Sequence, residues 1–392
     1  MKIFISTGEV SGDLQGAMLV EALKRQAAVR GIELEIAALG GDRMAAAGAK
    51  LLGNTAAIGS IGIIEAIPFI IPTWQMQQRV KGYLRQNPPD LLVLLDYMGS
   101  NVPLGTYFRR QFPQIPIIYY IAPQAWVWAP SNKSIQKIAD ITDELLAIFP
   151  EEARFFAEKG VSVKWVGHPL LDRLQEAPSR EEAREALGIP TGQRVVALFP
   201  ASRYQELKYL LPVICQAAQQ LQTQLPDLQF LIPISLPAYR DQIQAAVNSA
   251  GIAAKIVDGR SLEVMAAADL AITKSGTVNL ELALLGIPQV VIFLNNPLTV
   301  WIARNLLKFS IAFMSPVNLV VMREIVPELF QEAATSDRIV QESLDLLLNP
   351  ERRQQLAADY QEMRYLLGEV GVCDRAAREI LSLYAKSLGQ GA

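Results

Sequence analysis

The chain has 392 residues, too many for one ordinary core, so two domains are expected. Its 36 Lys and Arg nearly balance 39 Asp and Glu, for a net of −3, which argues against a nucleic-acid binder that relies on bulk charge. A single histidine, His168, cannot build a multi-histidine metal site; Cys215 and Cys373 lack metal-type spacing and read as reduced thiols in a reducing compartment.

The chain opens with MKIFISTGEVSGD, a strand at 2–6 running into a small-residue turn. Its apolar run is too short for a secretory signal. A second strand candidate, EIAAL, covers 35–39. The most hydrophobic stretch, IGSIGIIEAIPFIIPTW (58–74), is broken by Glu65, Pro68 and Pro72. Crossing a bilayer takes about 20 apolar residues, so no span is expected. Strand candidates LLVLLD (91–96), PIIYYIA (116–122), ELLAIF (144–149) and VKWVG (163–167) alternate with amphipathic segments. That alternation is the mark of an α/β protein with parallel sheets.

After His168 the texture changes. Residues 169–193 carry Pro and charge but no buried strand, and read as a linker with one short helix. A second series follows: RVVALFP (194–200), LQFLIPI (228–234), AKIVDG (254–259), DLAIT (269–273) and QVVIFL (289–294). The predicted fold is two doubly wound, Rossmann-like domains, 1–168 and 194–365, facing each other across a cleft. Helical segments dominate after Pro327. The last, about 371–388, is open to pack on either domain or on a partner subunit, which leaves a homodimer open.

Ligands of open α/β sheets sit beyond the C-terminal ends of the strands, so three turns carry weight. STGEVSGD (6–13) is not GxGxxG, which disfavours a nicotinamide site; its small residues still permit close approach by a sugar or acyl group. Equally, it reads as a tight turn with Ser11 or Asp13 as helix N-cap. In FPASRYQEL (199–207), Arg203 can pair with a phosphate through two parallel hydrogen bonds, or serve as a solvated ion-pair partner. The third turn, KSGTVNLE (274–281), is the strongest. Ser275, Gly276 and Thr277 are expected to present backbone N–H groups at a helix start, where the dipole favours an anion. Glu281, one turn on, is placed to accept hydrogen bonds from two ribose hydroxyls. A nucleoside diphosphate fits this pattern better than an ordinary capped helix does.

STGEVSGDLQGA, YYIAPQAWVWAP, VGHPLLD, FPASRYQEL, KSGTVNLE and VNLVVMREIVPELFQ occur here in the order seen in the lipid-A-disaccharide synthase family, which the chain resembles from residue 2 to about 380. The resemblance implies a glycosyltransferase of GT-B architecture. It would move 2,3-diacylglucosamine from UDP onto the 6-hydroxyl of 2,3-diacylglucosamine 1-phosphate, with inversion to a β-1,6 link and release of UDP. Carried over by position, Arg203, Ser275, Gly276, Thr277, Glu281 and Asn318 would form the UDP side. Glu9, Ser11 and Gly12 would line the first domain's side. Residues 58–83 match the family's membrane-docking and acyl-chain region. Their composition suits that: Ile63, Ile64, Ile67, Phe69, Ile70 and Trp74, with Arg79, Lys81 and Arg85 following, fit an interfacial surface meeting anionic lipid. The expected setting is the cytoplasm, with peripheral association at the inner leaflet of the cytoplasmic membrane.

One departure bears on chemistry. The family pattern D-x-x-D-F-N is here DYMGSN, so Asp96 and Asn101 match but Gly99 stands where the acid most tied to catalysis is expected. An inverting transfer needs a base, and Asp96 is the nearest replacement, with Glu9 second; bracing the loop is an equal reading of Asp96. Trp126 and Trp128, spaced like neighbours on one strand face, can wall a sugar or acyl site or belong to the core. The diphosphate can be stabilised by the helix start and Arg203, and no DxD pair is present, so no metal or cofactor is expected. Gly99 keeps open a catalytically silent binding relative; a UDP-sugar 2-epimerase is the same-fold rival.

Overall fold

The computed structural model describes the chain apart from residues 9, 56–69, 129–130, 201–203, 235, 306–310 and 390–392, and gives no side-chain account of 70, 204, 205, 303, 304 and 387–389. It divides into two units, Met1–Asp172 with Leu367–Ala392, and Arg173–Leu366.

The first unit is built on seven parallel strands: β1 (Lys2–Ser6), β2 (Glu35–Gly40), β3 (Lys50–Asn54), β4 (Leu91–Leu95), β5 (Ile117–Tyr120), β6 (Glu144–Ala147) and β7 (Val163–Trp165). Their spatial order is β3-β2-β1-β4-β5-β6-β7. The chain therefore builds outward from β1 on one side, then returns to its other side at β4, in the register Ile3 opposite Leu91. All five residues of β4 are buried, as a strand covered by helices on both faces must be, which explains its unbroken apolar run.

The second unit repeats the plan with six parallel strands: β8 (Arg194–Phe199), β9 (Leu228–Ile234), β10 (Ala254–Asp258), β11 (Leu270–Lys274), β12 (Gln289–Phe293) and β13 (Glu328–Phe330). The order β10-β9-β8-β11-β12-β13 reverses between β8 and β11. Each unit thus has one point where neighbouring crossovers leave the sheet in opposite directions. There the helices diverge and the strand ends stay uncovered.

Two strands lie where no buried run announces them. β3 is an edge strand with no buried residue, and β13 is a three-residue edge strand pairing Glu328 with Val291, in a region expected to be helical. Edge strands need no continuous apolar stretch, so their signal is weak. The segment read as a linker also contributes to a core. Its helix Arg180–Leu187 starts with a Ser179–Glu182 capping box and buries Ala183 and Leu187 against Val195, Ala197 and Met265.

The final helix, Val372–Gly389, packs on Val10–Val29 within the first unit, burying Ala376, Ala377, Ile380 and Leu381. Its start is fixed by Asp172, whose carboxylate accepts the N–H groups of Gly371, Val372 and Cys373. An acid at a helix N-terminus satisfies orphan donors and meets the positive end of the dipole together. Nearby, Arg375 donates to the Val166 carbonyl, and the His168 N–H donates to that of Leu367 at 2.9 Å. Both cysteines are buried and unpaired, and burial raises both thiol pKa values. Among the described residues no helix is long and apolar enough to cross a membrane.

His168 is wholly buried; its Nδ1 accepts the Leu170 N–H at 3.2 Å, and burial pushes its pKa down to about 3. The unfolded chain takes up this proton near pH 6.5, the folded chain only near 3. Stability from this group is therefore complete above about pH 6.5 and is lost as the pH falls from there. In His168→Asn, whose amide oxygen can replace Nδ1 as acceptor, urea melts between pH 6 and 4 are expected to show a shallower decline in stability. The difference should approach about 1.4 kcal/mol per pH unit; equal slopes would contradict the assignment.

Candidate functional site

In the first unit the strand order reverses between β1 and β4, and the loops after those strands are bonded together. The Ser6 hydroxyl donates to Asn101 Oδ1 at 2.8 Å. Asn101 Nδ2 donates to the carbonyls of Leu95 and Asp96, and Tyr119 Oη also donates to that of Asp96. The Asp96 N–H in turn meets the Ile121 carbonyl at 2.8 Å. Asp96 and Tyr97 have φ of 52° and 34°, and Ile121 has 60°. Left-handed backbone costs a residue with a Cβ on the order of 1–2 kcal/mol. Such strain gathers where the surroundings over-determine it, commonly at working sites.

Several residues expected to bind a ligand serve the scaffold instead. Asn101 is fully buried with both donors and its acceptor engaged, so it braces the Asp96 turn. A Cβ on Gly12 would come within 1.8 Å of Thr7 Oγ1, so Gly12 lets the first helix close on its strand. Asp13 is no N-cap of its own helix: it sits inside Val10–Val29 and accepts the N–H groups of Gly41, Arg43 and Met44 at the start of Asp42–Ala46. Ser11 is half-buried in the first turn of Val10–Val29, and Glu9 lies outside the described residues. A Cβ on Gly8 would fall 2.1 Å from the Tyr97 ring, so that ring lies against bare backbone. Gly99 is exposed, and a Cβ there would make ordinary 3.5 Å contact with the same ring.

The tryptophans are not on a strand. The N–H groups of Val127 and Trp128 both return to the Gln124 carbonyl, closing a turn after Pro123, so alternation does not apply. Trp126 is half-buried, 5.7 Å from the Phe149 ring, which in turn lies 5.2 Å from His168. One residue that sequence reasoning missed is Glu152, buried behind this loop, where burial raises its pKa to about 7. Its only sequence signal is its place as second acid after Phe149-Pro150, three residues past a strand-end Phe.

Ile63, Ile64, Ile67 and Phe69 lie outside the described residues. Ile70 opens the helix Ile70–Gln86, where Ile71 is 67% and Trp74 60% exposed. The opposite face of this helix buries Val80 and Leu84. Lys81 and Arg85 both stand over the Tyr107 ring, at 5.2 and 5.7 Å. Burial, then Arg85, lowers the Lys81 pKa.

In the second unit the reversal lies between β8 and β11. Lys274, ending β11, pairs with Glu206 at 3.3 Å, which ties that strand to the first turn of Tyr204–Gln224. Arg203 lies outside the described residues. Of the three N–H groups expected to face a ligand, two are committed. That of Ser275 meets the Ile292 carbonyl, and that of Gly276 is taken by Asn279 Oδ1 at 2.7 Å. A third-position Asn reaching back across the helix start is half of a capping box, a role the sequence pattern did not reveal. The N–H groups of Thr277 and Val278 have no acceptor among the described residues, and Thr277 is exposed.

The turn is buttressed from beneath. Ser275 Oγ donates to the Met314 carbonyl at 2.6 Å, and Asn279 Nδ2 reaches Gln289 Oε1 at 3.0 Å. Asn318, expected at the UDP, has all four of its hydrogen-bonding positions filled: Ile325 and Val326 N–H donate to Oδ1, and Nδ2 donates to the Val326 carbonyl and to Glu328. Glu328 also accepts from the Met314 and Ser315 N–H groups. Asn318 therefore positions the 314–318 segment under Ser275. Glu281 is buried and paired with Arg173 at 3.2 Å.

Residues 3–382 match the family described as lipid-A-disaccharide synthetase. A lipid-A-disaccharide synthase of Gloeothece citriformis is 66% identical over 381 residues, covering 97% of this chain and 99% of its own. One of Synechocystis is 58% identical over 383 residues, with 97% of each chain covered. Among solved structures, a putative UDP-N-acetylglucosamine 2-epimerase of Listeria monocytogenes aligns with a TM-score of 0.69 at 15% identity, covering 98% of this chain and 97% of its own. MurG of Acinetobacter baumannii aligns at 0.57 and 15%, covering 97% and 99%. At such identities these structures speak for the fold alone, the α/β GT-B architecture. By its sequence, end to end, the chain belongs to the lipid-A-disaccharide synthase family.

Proposed function

We propose that this chain transfers a 2,3-diacylglucosaminyl group from UDP to the 6-hydroxyl of 2,3-diacylglucosamine 1-phosphate, with inversion, and releases UDP. The observation that carries the reading is the β11 turn at the strand-order reversal of the second unit. It ends a buried strand, starts a helix and leaves the Thr277 and Val278 N–H groups without an acceptor among the described residues. Those donors and the helix dipole suit a departing diphosphate, whose charge grows as the glycosidic bond breaks. Arg203, three residues before Glu206, would add a bidentate contact from the neighbouring loop. Stabilisation of this kind needs no metal. Glu281, paired with Arg173, would accept the ribose hydroxyls.

On the acceptor side we assign Asp96 as the base that takes the 6-hydroxyl proton. Its strained turn at the end of the central strand supports this, and a positioned base supplies about 10²–10⁴-fold. Both substrates are lipids, so access from a bilayer surface is part of the function. Ile71 and Trp74, exposed at the head of a helix with Lys81 and Arg85 two and three turns further along the Trp74 face, suit an interface with anionic headgroups.

Purified protein with UDP-diacylglucosamine and the acylated acceptor phosphate is expected to yield the disaccharide and UDP. Asp96→Asn should lower kcat by about 10²-fold or more while UDP affinity by calorimetry stays within about twofold. Product at full rate from Asp96→Asn would remove it as base, and no UDP release from the wild type would leave only a binding role. For the membrane, Ile71→Ser with Trp74→Ser is expected to weaken the partition onto anionic vesicles, read by co-sedimentation, by about 30-fold or more, since burying two such side chains is worth roughly 2–4 kcal/mol. Sedimentation equal to that of the wild type would count against docking through this helix.

A further inference from the structure

Glu152 is a buried carboxylate that the mechanism above leaves without a task. It lies in the first turn of the helix Pro150–Glu158 and is 1% exposed. One of its oxygens accepts the Ala122 N–H at 2.8 Å; the other accepts those of Ile148 at 2.8 Å and Phe149 at 3.2 Å. A single side chain thus ties together the segments that follow β5 and β6. Removing one member of so buried a set would leave several donors unpaired.

What makes the arrangement more than a brace is its neighbour. Ile121, directly before Ala122, holds φ at 60°, a conformation that a β-branched residue strongly resists. It is clamped on one side by its N–H to the Leu146 carbonyl at 3.2 Å and on the other by Glu152 through Ala122. In that conformation its carbonyl receives the Asp96 N–H, and Asp96 is itself left-handed. Two strained turns on adjacent strands are therefore held in series, with Glu152 at the far end. Asp96 and Tyr120 are the titratable groups whose electrostatics couple to it.

We propose that Glu152 is a positioning residue for the transfer: it fixes the Ile121–Ala122 segment, whose carbonyl sets the Asp96 turn. The kinetic half of this inference rests on Asp96 acting as base; the structural half does not. Glu152→Gln keeps the size and one acceptor oxygen but turns an NH2 toward backbone donors. Hydrogen exchange followed by NMR is expected to show protection of the Asp96 amide falling about tenfold, as loss of one net hydrogen bond allows, with β8 to β12 amides unchanged. In the assay kcat should fall about 10²-fold while UDP affinity holds within about twofold, and Glu152→Gln added to Asp96→Asn should lose no further rate.

Unchanged protection at Asp96 would overturn the inference, as would UDP affinity and kcat falling together. If Asp96→Asn alone keeps full rate, the base assignment fails and takes the kinetic half with it, whereas the exchange result still decides the structural half. Should Glu152→Gln not fold, Glu152→Asp, one methylene shorter, carries the same measurements and the same outcomes.

Discussion

A parallel strand that runs into a helix leaves unpaired amides at its C-terminal end, and a sheet whose order reverses leaves those ends uncovered. The proposed transfer site follows from that constraint. Each unit has one such reversal, between β1 and β4 and between β8 and β11. In each, the chain must either satisfy the bare backbone with its own side chains or keep it for a ligand. The second unit does both within four residues. Asn279 takes the Gly276 N–H, the Ile292 carbonyl takes that of Ser275, and Thr277 and Val278 are left. The proposed anion site at this helix start is thereby narrowed to two donors at one place, which would give direction to a dipole that otherwise attracts any anion.

The same economy explains why so many polar residues near the strand ends are engaged with the chain's own backbone. Asn101, Asp13 and Glu152 are buried and each closes loops that lie far apart in sequence, while buried Asn318 closes the local 318–328 loop. Buried polar groups of this sort are costly if unpaired and rigidifying if paired. In the first unit they hold Asp96, Tyr97 and Ile121 in left-handed backbone that none of the three would adopt alone. The strain lies at the ends of the central strands, where the transfer chemistry is proposed.

The fold was largely legible because periodicity reports burial. β4, β8 and β11 are buried on both faces and wrote themselves as unbroken apolar runs, and the small-residue turns after them marked the reversal points. β3 and β13 were illegible for the converse reason: edge strands half open to solvent need no such run. The role of the helix Arg180–Leu187 was hidden because its two core residues, Ala183 and Leu187, are few among charges. At the site, the family resemblance singled out Asn318 and Asn101, and the turn pattern Glu281, but neither said what they touch. An Asn saturated by distant backbone looks, in one dimension, the same as an Asn reaching for a nucleotide. Glu152 had no signal beyond its place at a helix start, since its partners come from two other segments. Gly99 is legible as a missing acid, and the structure adds that a side chain would fit there without strain.

The central claim is that the two uncommitted amides after β11 receive a diphosphate. It is tested most directly by titrating UDP into 15N-labelled protein and following individual backbone signals. The Thr277 and Val278 amides are expected to shift and to saturate with the same Kd that calorimetry gives. UDP binding that leaves both signals unmoved, or no binding at all, would contradict it.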